Sequence, residues 1–133
     1  MNLVGAWRLV EWRTTRAGGR TSHPFGRDAV GLLCYTPDGY VSVTVARAGR
    51  PPLPGAVPRQ APLQTRAEAF ASFFCYSGRY EVRDGQVVHD VEVALNPSFT
   101  GTIQIREMNF DGDRLVLAAA EEGRWHTLIW RRA

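Results

Sequence analysis

The sequence predicts an all-β domain: eight mostly antiparallel strands closed into a barrel, with one short helix and a proline-rich lid loop. Three observations predict it. Four turn signals, "TPDG" (36–39), "RDG" (83–85), "DGD" (111–113) and "EEG" (121–123), each separate two runs rich in Val, Ile, Leu and aromatics. Glycine accepts the positive φ that tight hairpin turns require, so each signal reads as a hairpin. Only one stretch has a helical pattern, and the length of 133 residues suits a single domain over 1–133. Closing the sheet removes exposed edges and leaves an interior that holds side chains or one small ligand; a sandwich has the same hairpin pattern.

In chain order the strands are expected at about 6–14, 28–36, 39–47, 77–83, 86–95, 100–110, 113–120 and 124–131. The segment "RPPLPGAVPRQAP" carries five prolines in thirteen residues. Proline lacks an N–H and fixes φ, which keeps it out of a sheet interior, so this is a stiff surface loop. The helix follows in "TRAEAFASFFCYSG", where Thr65 and Glu68 form a capping-box pattern. Ala67, Phe70, Phe73 and Phe74 give it an apolar stripe and Gly78 a stop. Residues 50–76 would then cover one end of the barrel.

Composition narrows the function. Hydrophobic residues make up 44% of the chain and no stretch reaches the length of a membrane span. The opening "MNLVGAWRLVEW" lacks a basic region followed by an apolar block, so a cytoplasmic location is expected. All 16 basic residues are arginine, and they are scattered; the net charge of +3 therefore predicts no nucleic-acid partner. Cys34 and Cys75 stand alone and read as free, buried thiols. No G-x-S-x-G, H-E-x-x-H or phosphate-binding glycine loop is present. No cofactor is expected. His23, His89 and His126 fall at different barrel depths, so no metal site is expected either.

Strand parity supplies the candidate site. Alternate residues share a face, which groups His89 with Val87, Val91, Val93 and Leu95, opposite Val88, Asp90, Glu92 and Ala94. His89 is then either a structural histidine tied to a hydroxyl or backbone partner, or part of a site. In "TIQIREMNF" the face of Gln104, Arg106, Met108 and Phe110 is read as inward. A buried arginine needs a carboxylate or several acceptors; a one-residue bulge would return it to solvent. Tyr80 shares a face with Gly78 and Val82 and points inward, and Tyr76 has the same parity unless it belongs to the helix. His126 lies with Leu128 and Trp130 on the last strand. If Trp7 and Leu9 face inward, Glu11 is the counter-ion of Arg106; if Val10 and Trp12 do, Glu11 is surface. His23, before a proline, is a loop residue shaping the mouth. Phe74, Met108 and Trp130 complete the expected lining.

"GAW" (5–7) has the G-x-W form of the lipocalin signature, whose tryptophan closes the barrel floor and stacks with an arginine near the chain's end; Arg131 or Arg132 is available here. More of the chain resembles the bacterial lipocalin-like domain family, through "LVGAWRLVEW", "HPFGRDAVGLLCYTPDGYVSV", "YSGRYEV", "VVHDVEVALNP", "GTIQIRE" and "GDRLVL" in that order. That resemblance implies a small calycin-type barrel with an internal pocket. Related small barrels in natural-product pathways act as cofactor-free cyclases, an analogy of fold.

Three functions follow as expectations. The first is cofactor-free cyclisation or isomerisation of a polyketide-like substrate, with Arg106 and Tyr80 polarising a carbonyl and His89 or His126 moving a proton. The second is a carrier for the same kind of small hydrophobic molecule. The third is a structural barrel filled by its own Trp and Phe side chains. Composition decides nothing between a monomer and a homodimer.

Overall fold

The computed structural model describes residues 2–133. The hairpins predicted from the turn signals all form. The chain runs β1 (Gly5–Arg16), β2 (Thr21–Ser22), β3 (Val30–Tyr35), β4 (Tyr40–Ala46), α1 (Leu63–Ala71), β5 (Phe73–Arg83), β6 (Gln86–Ala94), β7 (Ile103–Asp111), β8 (Arg114–Glu121) and β9 (Arg124–Arg132). Each strand from β3 to β9 pairs antiparallel with the next, and β1 pairs with both β3 and β9. That closes an eight-stranded barrel; the two-residue β2 adds only to β1. At the β5–β6 turn Asp84 and Gly85 both have positive φ, 50° and 76°, the conformation that matches the twist of the flanking strands.

Two β-bulges set which side chains reach the interior. Between β1 and β9 the register moves from Leu9–Trp130 to Glu11–Ile129, which leaves Val10 as the extra residue. An extra residue inverts the parity of everything beyond it. Trp7 and Leu9 therefore join the core, as does Trp12, and Glu11 turns outward. Unbroken alternation would make the two alternatives at Glu11 exclusive; the bulge lets Trp7, Leu9 and Trp12 all face inward while Glu11 faces out. In β6 the register shifts from Gly78–Val91 to Ser77–Val93, with Glu92 in excess. Val87, His89 and Val91 are buried as expected, whereas Val93 and Leu95 emerge to solvent. The bulge fits only against glycine: a Cβ on Gly78 would lie 1.8 Å from the Asp90 carbonyl oxygen.

The helix differs from its sequence reading. It spans 63–71, begins after Pro62 without a side-chain cap, and buries none of its residues. The Thr65–Glu68 capping box does not form, because Thr65 lies inside the first turn and Glu68 accepts from Gln64 instead. Phe70 is exposed, while Phe73 and Phe74 belong to β5 and Gly78 is a strand residue rather than a stop. Sheet pairing with β4 and β6 takes these residues out of the helix.

The floor is built around Trp7, which is fully buried and donates its indole N–H to the Leu3 carbonyl at 2.9 Å. The Arg132 guanidinium lies 3.9 Å from the Trp7 ring centroid and donates to the carbonyls of Val4, at 2.7 Å, and Asn2. The residue near the chain's end that stacks on the tryptophan is Arg132.

Candidate functional site

Above the floor the barrel encloses a cavity of about 230 Å³, below the usual range for drug-sized pockets. Its walls are mostly apolar: Trp12, Leu33, Val43, Phe74, Leu117 and Trp130 are among them. Trp12 packs edge-on against Phe74 and Phe25, with centroids 5.6 and 5.0 Å apart. Phe99, from the loop joining β6 and β7, packs 5.6 Å from Tyr76. No residue of the proline-rich loop or of α1 lines this space; of residues 50–76 only Phe74, Cys75 and Tyr76, all in β5, do. Loop and helix instead enclose a separate surface groove with Arg47 and Arg50, where Arg50 ties down the helix end through Ser72 Oγ and the Ala69 carbonyl.

The polar groups of the cavity centre on His89, which is 2% exposed. Tyr35 Oη lies 2.7 Å from its Nε2, and Tyr76 Oη lies 2.6 Å from its Nδ1. Burial, reinforced by the positive charge of Arg106, pushes the imidazole pKa down to about 3, so the ring is neutral near pH 7. A neutral imidazole has one donor and one acceptor nitrogen, so one tyrosine donates to it and the other accepts. Tyr35 is buried and its hydroxyl has no other partner among the described residues. Donation from Tyr35 to Nε2 satisfies that proton. His89 Nδ1–H then donates to Tyr76, and the Tyr76 hydroxyl proton is free for the cavity that Tyr76 lines. Burial pushes the Tyr76 phenol up to about 12, with Arg106 opposing that rise, and burial raises Tyr35 well above the ordinary phenol value. Both remain protonated.

His126 lines the cavity from β9. Its Nδ1 accepts the Trp12 indole N–H at 3.3 Å, which leaves Nε2 carrying the proton. Burial, partly offset by Glu121, lowers its pKa. Neither imidazole therefore presents an unoccupied lone pair to the cavity.

Arg106 points inward, on the face with Gln104, Met108 and Phe110. Glu11 does not reach it: that carboxylate faces outward, to His23 Nε2 at 3.0 Å and Arg13 at 3.1 Å. The hydrogen bond from His23, foremost, holds the Glu11 pKa below its ordinary value. Arg106 forms no ion pair among the described residues; its bonds, both 3.3 Å long, go to Gln104 Oε1 and the Ile105 carbonyl. Gln104 is anchored in turn on Thr102 Oγ1 at 2.8 Å. Gln104 thus positions the arginine without lining the cavity, and Met108 packs on the core.

Of the residues singled out from sequence, Arg106, His89, His126, Tyr76, Phe74 and Trp130 converge on the cavity. Tyr80 does not: its ring packs on Tyr35 at 4.7 Å and its hydroxyl donates to the Thr36 carbonyl at 2.8 Å. Sequence reasoning places Trp12 inside only if Trp7 and Leu9 face out; the Val10 bulge brings in all three. Sequence reasoning missed Tyr35, whose parity with Leu33 signals burial but whose pairing with His89 spans 54 residues. Cys34 and Cys75 are free thiols, half-buried rather than buried. Among the described residues no helix is long and apolar enough to cross a membrane.

A family model described as the lipocalin-like domain matches residues 4–133. No curated protein matches the chain. Among solved structures, a lipocalin-like protein from Bacteroides uniformis ATCC 8492 aligns with a TM-score of 0.53 at 12% identity, over 98% of both chains. An uncharacterized protein from Bacteroides eggerthii DSM 20697 aligns with a TM-score of 0.49 at 12% identity, over 99% of this chain and 100% of that one.

Proposed function

We propose, for a chain that belongs to the lipocalin-like domain family, that the barrel cavity binds a small, polyketide-like carbonyl compound and promotes its cyclisation or isomerisation without a cofactor. The lipocalin-like fold commonly binds small hydrophobic ligands. The observation that carries the reading further is the chain Tyr35–His89–Tyr76, which leaves one hydroxyl proton free at an apolar wall beside Arg106.

Apolar walls hold the substrate in a compact conformer, which removes part of the barrier to ring closure. Tyr76 donates to the carbonyl oxygen, and Arg106 offsets the negative charge that develops there. His89 Nδ1–H supports the Tyr76 oxygen as its proton moves. With both imidazole lone pairs occupied, the protein supplies no general base, so the nucleophilic carbon comes from an enol already present in the substrate. The new C–C bond forms between that carbon and the carbonyl carbon. Tyr76 gives its proton to the carbonyl oxygen, and the phenolate left behind takes up the proton that the enol O–H loses as it becomes a carbonyl, so Tyr76 is restored and the product has the mass of the substrate, or is lighter by one water after elimination.

A carrier that binds the same compound unchanged is the second reading, and the lack of a free imidazole lone pair favours it. Catalytic amounts of protein, incubated with a metabolite extract from a strain lacking the gene, separate the two by LC–MS. Conversion of one compound in large molar excess over protein supports the enzyme. Depletion one-for-one, with recovery of the compound on denaturation, means a carrier. An Ala119→Trp variant, which fills the cavity, should lose either behaviour; its retention would place the activity elsewhere.

A further inference from the structure

We infer that the cavity is built to hold an organic anion: an apolar body of one or two rings bearing a carboxylate, or an enolate or phenolate of the same shape. The inference rests on the cavity being the binding site, as proposed above, and adds the charge of what it takes. It stands on a mismatch between the donors and acceptors that the barrel interior presents.

Arg106 carries five N–H donors in a rigid fork, and the protein engages it only through neutral oxygens: two long bonds to Gln104 and Ile105, and the Tyr76 hydroxyl beside it. Arg106 is half-buried, and the part of it that lines the apolar walls has no counter-charge, which is unfavourable unless a ligand supplies one. Tyr76 adds a second donor, through the proton left free by its bond from His89. Both line the cavity, and neither has an anionic partner among the described residues.

The acceptors that do line the cavity, Glu121 and Asn96, are exposed. Glu121 acts on His126 and forms no ion pair with Arg106. It sits where it would repel an anion left at the entrance, which favours a bound pose with the charge deep and the apolar body outward. A carboxylate matches a guanidinium fork with two parallel bonds, and an enolate oxygen would take the Arg106 and Tyr76 donors together. The cavity, at about 230 Å³, limits the apolar body to one or two rings.

Titration calorimetry of the intact protein near pH 7.5 tests this with three probes of one shape: 2-naphthoate, 2-naphthamide and methyl 2-naphthyl ketone. The expected result is that 2-naphthoate binds at least about tenfold tighter than either neutral probe. In Arg106→Gln the ratio of 2-naphthoate affinity to neutral-probe affinity should fall to about one, and Arg106→Lys should keep part of the preference. Amide NMR spectra show whether the variants are folded.

Equal or tighter binding of the neutral probes overturns the anion inference and leaves the cavity as a small-molecule site. A preference for 2-naphthoate that survives in Arg106→Gln also overturns it, since the attraction then comes from the other arginines. If none of the three probes binds, the inference and the proposed site fall together.

Discussion

Tyr76 Oη and His89 Nδ1 stand 2.6 Å apart, on neighbouring strands, at the boundary between core and cavity. With Tyr35 on the far nitrogen at 2.7 Å, the bond belongs to a chain in which the order Tyr35 to His89 to Tyr76 satisfies both ring nitrogens and the buried Tyr35 hydroxyl. The two tyrosines therefore differ in consequence although both are buried. Tyr35→Phe and Tyr76→Phe each leave one imidazole nitrogen unsatisfied, which costs about 1–3 kcal/mol. Only Tyr76→Phe should also weaken ligand binding, by about tenfold. Denaturant unfolding and calorimetry of the two variants check both points, and equal effects on binding would refute the proton order.

His89 makes stability depend on pH. Its pKa is held at about 3 in the folded chain, against 6.5 for an unperturbed histidine. Above about pH 6.5 both states are neutral and the stabilisation is fully present. As pH falls towards 3 the unfolded chain takes up a proton that the folded chain refuses, so stability declines by up to about 1.4 kcal/mol per pH unit. Glu11, with a lowered pKa, adds a decline of the same sign only below its ordinary value of 4.5. Urea midpoints between about pH 7 and 5, compared with His89→Gln, isolate the histidine because His126 contributes to both proteins alike. A wild-type slope no steeper than that of the variant would contradict a neutral, buried His89.

Arg106→Ala should reduce turnover about 100-fold or more under the enzyme reading, as losing one strong oxyanion donor does elsewhere. Because Arg106 has no ion pair to lose, its removal should change stability by less than about 1 kcal/mol. Single-turnover rates and thermal midpoints measure the two effects. Unchanged turnover would remove Arg106 from the mechanism.

Gly78→Ala should be among the most damaging single-atom changes. The added Cβ meets the Asp90 carbonyl at 1.8 Å, on backbone that cannot rotate away. The strand would have to give up the bulge or move apart, at a cost of about 3 kcal/mol or more. Gly85→Ala, where a Cβ meets nothing within 4 Å and only the positive φ of 76° is strained, should cost less. Thermal denaturation ranks the two.

Arg132→Ala removes the cation over the Trp7 ring and the donors to Val4 and Asn2. A loss of about 1–3 kcal/mol is expected. Arg132→Lys should recover part of it, since lysine keeps the charge but not the planar fork. A near-neutral Arg132→Ala would show that the floor is held by packing of Trp7 alone.

The barrel was legible because hairpins and alternation are local. "TPDG", "RDG", "DGD" and "EEG" dictate their own turns from residues that accept positive φ. Within any unbroken strand, parity correctly turned His89, Arg106, Tyr76 and Trp130 inward. The failures cluster where one strand has one residue too many. Neither Val10 nor Glu92 has a composition that announces a bulge, because a bulge is a property of the pairing with β9 or β5 and not of the strand itself. Glu11, Trp12, Val93 and Leu95 were all affected by those two positions. The helix was misjudged for a related reason: Phe73 and Phe74 suit a helical stripe and a strand equally well, and pairing with β4 decides.

The sequence by itself determined that this chain makes an antiparallel barrel, where its hairpins turn, and which polar residues on regular strands face inside. These rest on interactions between residues a few positions apart. Only the tertiary structure decided that Arg106 has no counter-ion, that Tyr35 and Tyr76 bracket His89, that Trp12 occupies His126, and that Trp130 keeps an unpartnered N–H. Each is a distance between strands far apart in the chain, set by bulge positions and barrel closure together. The electrostatic character of the cavity follows from those distances, so a list of its residues does not contain it.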